Sequence, residues 1–211
     1  MKKLILKSVL LVFFISITYY SFSQPIPVEF MAGNKYASVD VSFSKSFVQN
    51  SKFGFFHMNT LQADYNNKSN NSFVVLDMLT YEVVKNIKIV GGAFYGMPGF
   101  NTTAGFQYNY VSKNVFFLFA PRVNIAEIPS YDFMTIFQYK RDLTEKVKLF
   151  SRIKLLNLFD ANGHIKSYQW LRLGLEIKGT QFGLAADFDE FGPHPNVQYN
   201  LGIFIRREIF M

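Results

Sequence analysis

The sequence predicts an all-β chain: an antiparallel, up-and-down transmembrane β-barrel of about twelve strands, with ten or fourteen as the nearest alternatives. Three observations carry that prediction. The final stretch, Asn196 to Phe210, alternates. Val197, Tyr199, Leu201, Ile203 and Ile205 fall on one face, Gln198, Asn200, Gly202 and Arg206 on the other, and Phe204 is the one misfit. From Pro25 onward there is no sustained 3.6-residue periodicity, only alternating runs divided by Gly, Asn, Pro and Ser clusters. No second apolar run of helical-span length follows the N-terminal one, so strands must do any membrane crossing.

Residues 1–23 read as a cleaved secretory signal. Met1-Lys-Lys-Leu-Ile-Leu-Lys7 supplies the positive start, Ser8 to Ile17 the apolar stretch, and Ser21-Phe-Ser23 the small residues before a cleavage site. The apolar run is shorter than the ~20 residues of a membrane-spanning helix. Cleavage after Ser23 leaves residues 24–211 as the barrel.

The turns that divide it are Gly33-Asn34, Gln49–Ser51, Asn66–Asn71, Lys85-Asn86, Met97–Asn101, Ser112–Asn114, Ile128–Ser130, Thr144–Lys146, Asp160–His164, Gly179-Thr180 and Gly192–Pro195. Each has the chemistry of a chain reversal. Eleven reversals give twelve strands, an even number that places both ends on the periplasmic side. Short periplasmic turns are expected to alternate with longer outer loops. The weakest strand is Pro27–Ala32.

Between the turns the faces separate. Tyr131, Phe133, Thr135, Phe137 and Tyr139 point outward against Asp132, Gln138 and Lys140. The two tyrosines stand roughly 26 Å apart at ~3.3 Å per residue. With strand tilt this approaches the ~25 Å apolar band between aromatic girdles. Tyr108 and Tyr110 join Tyr131 and Tyr139 as lipid-facing girdle residues, and Tyr65 is a candidate for the outer rim. Leu171, Leu173, Leu175 and Ile177 oppose Arg172, Gly174 and Glu176. Phe117, Phe119, Val123 and Ile125 oppose Arg122 and Asn124. Pro121 removes a ladder donor, and a bulge is expected there. From Val147 to Phe159 the pattern blurs, because Phe150 and Leu156 share a face with Lys148, Arg152 and Lys154.

Composition agrees without deciding. Twenty-five Phe and twelve Tyr favour strands and membrane interfaces. With no cysteine, a disulfide scaffold, a lipidated cysteine and a thiolate metal site are excluded. Loss of Lys2, Lys3 and Lys7 with the signal lowers the formal charge from +7 to +4. The remaining cations are interleaved through strands, and no basic stripe marks a nucleic-acid partner.

The Lys-rich start ending Ser-Phe-Ser-Gln24, the run of aromatic strands and the tail Leu201-Gly-Ile-Phe-Ile-Arg-Arg-Glu-Ile-Phe210 resemble the small outer-membrane β-barrel proteins of Bacteroidota. The resemblance implies a Gram-negative outer membrane, lipid as the surrounding partner and assembly by the barrel-insertion machinery. It transfers no functional residues and implies no cofactor.

The inward face is expected to collect Asp40, His57, Asp77, Arg122, Lys140, Lys148, Arg152, Lys154, Arg172, Glu176, Asp187, Asp189 and Arg206. Such groups either pair across the lumen or line a narrow path for a small polar, possibly anionic, solute. Twelve strands lie between filled eight-strand barrels and open sixteen-strand pores. Other readings are a closed structural or adhesive barrel, a soluble lipocalin-like barrel with its greasy face inside, and an outer-membrane lipid hydrolase. The last needs a serine activated by a histidine. His164-Ile-Lys-Ser167 brings the two types together in sequence, but a regular strand turns them to opposite faces. His194 falls in an outer loop, and Asp187-Phe-Asp189-Glu190 could take Ca²⁺ at the rim. No catalytic or metal-ligating set is assigned.

Overall fold

A computed structural model describes residues 26–96, 99–193 and 196–209. The proposed signal, Gln24, Met97-Pro98, His194-Pro195 and the terminal Phe210-Met211 lie outside the described residues. Twelve antiparallel strands form a closed barrel: β1 (Ile26–Gly33), β2 (Tyr36–Ser46), β3 (Phe53–Asp64), β4 (Ser72–Val84), β5 (Ile87–Gly96), β6 (Gly99–Val111), β7 (Val115–Ile125), β8 (Ser130–Asp142), β9 (Val147–Asp160), β10 (Gly163–Ile177), β11 (Thr180–Phe191) and β12 (Asn196–Ile209). Each strand pairs with its neighbours in sequence, and β1 closes on β12 from Ile26↔Ile209 to Gly33↔Gly202. The strand count and up-and-down order match the sequence expectation, and closure removes the exposed edges that would otherwise seek partners.

Turn chemistry explains the connections. Lys178 and Gly179 both have positive φ, the conformation of a two-residue hairpin turn whose twist suits its flanking strands. At the β1–β2 turn, Asn200 packs its side chain over Gly33, where a Cβ would collide with it. That amide accepts from Lys35 N (2.8 Å) and donates to Tyr36 O (3.1 Å), fixing the turn from across the barrel seam. The expected difference in loop length between the two ends is not found. The longest connections, residues 47–52 and 65–71, lie at opposite rims. The Asn-rich segment folds on itself, with Asp64 accepting from the N–H of Asn66 and Asn67 at 2.8 Å each.

Pro121 does not make a bulge. The β7–β8 register runs unbroken past it, and the β6–β7 register resumes unchanged on either side. Only the pairings opposite Pro121 and Ala120 drop out, the loss expected from a missing N–H. The register does shift between Glu82 and Val84 and between His164 and Lys166.

Alternation sets the two surfaces. Leu184 and Ile203 are 68% and 63% exposed on the outside of the wall, with Phe106, Phe133, Leu173 and many others. An apolar belt of this size belongs against hydrocarbon, which overturns the soluble, inverted barrel. Phe204, the misfit of the last strand, points inward and meets Phe150 at 5.8 Å between ring centroids, with Met31 and Ala185 beside them.

Candidate functional site

The barrel interior divides into two halves. One side, contributed by β1, β2 and β9 to β12, is charged. Glu29 on β1 is its hub: it accepts from Arg152 (3.1 Å) and Arg172 (2.7 Å), and stands 3.8 Å from Arg206. Asp40 on β2 binds Arg152 (3.2 Å), Lys154 (2.6 Å) and the Thr60 hydroxyl (2.8 Å). Arg172 also reaches Asp187, and Asp189 accepts from the hydroxyl of Tyr36 (2.9 Å) and the indole of Trp170 (3.3 Å). Lys154, 1% exposed, lies 4.9 Å from the Trp170 ring centre. The β9 cations thus reach across the lumen to β1 and β2, sealing that half with side chains.

Two smaller networks flank this cluster. Arg122 binds Asp132 through Nε (2.8 Å) and Nη2 (2.6 Å), with Asn124 at 3.1 Å from the same carboxylate. Nearer the rim that holds Ile26 and Ile209, Lys140 joins Glu176 (2.7 Å) and Glu208 (3.2 Å), and Gln181 donates to Glu176 (2.7 Å). Lys148 stands near Asp142 at 3.6 Å, partly exposed.

The opposite half of the interior is apolar, which the sequence reading did not anticipate. Phe56, Met58, Leu76, Met78, Val90, Leu118, Ala120, Met134 and Ile136 form one packed, buried cluster inside the wall. Strands β3 to β5, β7 and β8 are therefore apolar on both faces along part of their length.

Of the thirteen residues expected to face inward, Asp40, Arg122, Lys140, Lys148, Arg152, Lys154, Arg172, Glu176, Asp187, Asp189 and Arg206 do so by strand parity, and all of these but Lys140 and Lys148 are buried. His57 and Asp77 do not. They are register partners on the outer face, next to the Phe55/Leu79 pair, and His57 Nδ1 meets Asp77 Oδ1 at 2.8 Å. Phe56 and Met58 take the inward positions, so parity in β3 runs opposite to the expectation. Tyr108, Tyr110, Tyr131 and Tyr139 project from the outer wall, Tyr131 near one rim and the others near the Ile26/Ile209 rim.

Sequence reasoning missed Glu29, Tyr36 and Trp170. The alternation Val28-Glu29-Phe30-Met31 was a usable sign for Glu29, in a strand that looked too weak to weigh. The rim acids do not converge on a Ca²⁺ site. Asp187 and Asp189 point inward to their partners while Glu190 sits on the outer face, and no cluster of three metal-binding side chains occurs among the described residues.

His164 and Ser167 do converge. The strand continues to Gly163, but Ile165 is an extra residue: His164 pairs with Phe159 and Lys166 with Leu158. This bulge returns His164 to the outer face that Ser167 occupies, and Nε2 lies 2.7 Å from Ser167 Oγ.

No protein-family model matches the chain, and no curated protein matches it. Among solved structures it is similar to the KdgM porin, at 11% identity over 88% of this chain and 99% of that one, with a TM-score of 0.50. The NanC porin is similar at 7% identity over 88% and 98%, also with a TM-score of 0.50. The fold is the outer-membrane porin fold. With the apolar belt outside and the ion pairs inside, the chain is a bacterial outer-membrane β-barrel.

Proposed function

We propose that the barrel binds or passes a small polar, anionic solute along the charged half of its interior. One observation carries this reading. Arg152, Lys154, Arg172 and Arg206 gather around Glu29, Asp40 and Asp187, and the buried Arg206 Nε has no hydrogen-bond partner among the described residues. A buried guanidinium N–H without an acceptor costs free energy that an anion would recover. The path is narrow, and a solute must displace carboxylates from their arginines to pass. The apolar half serves as its fixed wall.

A second reading, a closed structural barrel, is favoured by how tightly the lining is sealed, with Glu29, Asp40, Lys154, Arg172 and Asp187 all buried. Planar-bilayer recording separates the two. The channel reading expects a small conductance with anion preference, lowered in Arg206→Met. Absence of conductance at every salt concentration identifies the filled barrel.

In this proposal the lumen does no chemistry. Residues 1–23 direct export and are removed, the insertion machinery assembles residues 24–211, lipid is the surrounding partner, and nucleic acid is not a ligand. The Lys-rich start and aromatic tail support an origin in the Bacteroidota.

A further inference from the structure

The outer wall carries a constellation that lumen transport does not use. In the bulge of β10, His164 Nδ1 lies 2.6 Å from the Gly192 carbonyl oxygen. A carbonyl only accepts, so Nδ1 carries the proton and donates it. In the neutral ring Nε2 is then an acceptor, and it faces Ser167 Oγ at 2.7 Å. Turned toward the imidazole, the Ser167 hydroxyl has the geometry of a serine poised against its base. Phe159 holds the imidazole from the side, edge to face at 5.6 Å. Asn157, the register partner of Ser167 on β9, accepts from the same Oγ through its amide Oδ1 at 3.0 Å. With the hydroxyl proton committed to Nε2, that amide suits Oγ only when turned to present its NH2 group.

We propose that the outer wall carries an acyl-ester-hydrolysing site, with Ser167 as nucleophile and His164 as its base, acting on an ester-linked membrane lipid. Its depth selects the substrate. Register runs from Phe133 through Asn157 to Ser167, one outward position below Tyr131 at the rim opposite Ile26 and Ile209. That level is the boundary between headgroups and tails, where acyl esters lie. Leu155, Leu171 and Ile153 continue the outer face toward mid-wall, a surface for the acyl chain. Ser167 is 4% exposed, lying beneath the exposed Asn157. The substrate carbonyl therefore enters as the Asn157 amide swings from Oγ to donate to the carbonyl oxygen.

Oγ attacks the ester carbonyl carbon while its proton passes to Nε2. The tetrahedral adduct collapses, the bond to the alcohol oxygen breaks, and the alcohol leaves with that proton. Water then attacks the acyl-serine and gives a proton to Nε2. The fatty acid departs, and the proton returns to Oγ.

The site does not rest on the channel reading, and its test is separate. The folded wild-type barrel is treated with a fluorophosphonate probe and the modified residue located by mass spectrometry. In parallel, fatty-acid release is measured from mixed micelles of phosphatidylethanolamine or of lipopolysaccharide. Labelling at Ser167 with release from one or both lipids is expected, and the responding lipid identifies the source of the ester. His164→Ala and Ser167→Ala, each shown folded by heat-modifiable gel mobility, are expected to lower release by at least about 100-fold. A wild-type barrel unlabelled at Ser167 and releasing no fatty acid overturns the proposal. So does release at the wild-type rate from Ser167→Ala.

Discussion

Glu29 shows how much of the barrel interior hangs on single side chains. It is buried and shares its carboxylate among Arg152, Arg172 and Arg206. Removing one member of a buried ionic cluster leaves uncompensated charge, which costs about 3–5 kcal/mol. Glu29→Ala is expected to lose stability in that range, read from urea unfolding in micelles. His57 and Asp77 obey the same physics on the lipid side. Asp77 keeps a side-chain exposure of 46% on the outer face, where His57 is its ionic partner. His57→Leu alone is expected to destabilise the barrel, because it leaves a carboxylate facing hydrocarbon, at a cost below the ~2–4 kcal/mol of a lipid-facing Arg or Lys at mid-depth. The double variant His57→Leu/Asp77→Leu is expected to be near neutral or more stable than wild type. Equal losses in the single and double variants would contradict this account of the pair.

Elements were legible wherever one face was wet. In β8, β10 and β12 most charged or amide residues fall on one face, as Asp132, Gln138 and Lys140, Arg172 and Glu176, and Gln198, Asn200 and Arg206 do, and the expected faces match the strand parity. Where both faces are apolar, as in Phe55-Phe56 or Val74-Val75-Leu76, a period of two leaves no trace. The inner apolar cluster and the parity of β3 were therefore illegible. Cross-lumen partners were equally hidden, since Glu29 and Arg152 are 123 positions apart and no local pattern links them. Two irregularities were misjudged for one reason, that neighbouring strands decide where an extra residue is absorbed. Pro121 sits in a regular strand opposite a gap in pairing, whereas the bulge forms at Ile165 and brings His164 to Ser167. Pro121→Ala is expected to restore a ladder hydrogen bond and stabilise the barrel by about 0.5–1.5 kcal/mol, measured by the same unfolding assay. Deleting Ile165 is expected to straighten β10, turn His164 away from Ser167 and abolish fluorophosphonate labelling while the barrel still folds.

At the scale of the whole molecule, the sequence places its polarity inside out. A water-soluble protein of this size would hide Leu184, Ile203 and Phe106; here they stand on the outside, while Lys154 and Arg172 lie within. The closed ladder satisfies the backbone without water, which lets such a wall stand in hydrocarbon. The interior is charged on one side and apolar on the other. In the proposed reading, solute passage is confined to the ion-paired half, and the proposed ester chemistry is confined to the outer wall.

The chain contains no cysteine, so single reporters can be introduced without background. Nitroxide labels at Leu184→Cys, Ile203→Cys and Phe106→Cys, with Asn200→Cys and Gln181→Cys as inward controls, report collision with oxygen or with a water-soluble nickel chelate in lipid vesicles. The outer three positions are expected to be reached by oxygen and shielded from nickel, and the inward two to be shielded from lipid-borne oxygen. Nickel access at Leu184 and Ile203, with oxygen access at Asn200 and Gln181, would contradict the inside-out barrel.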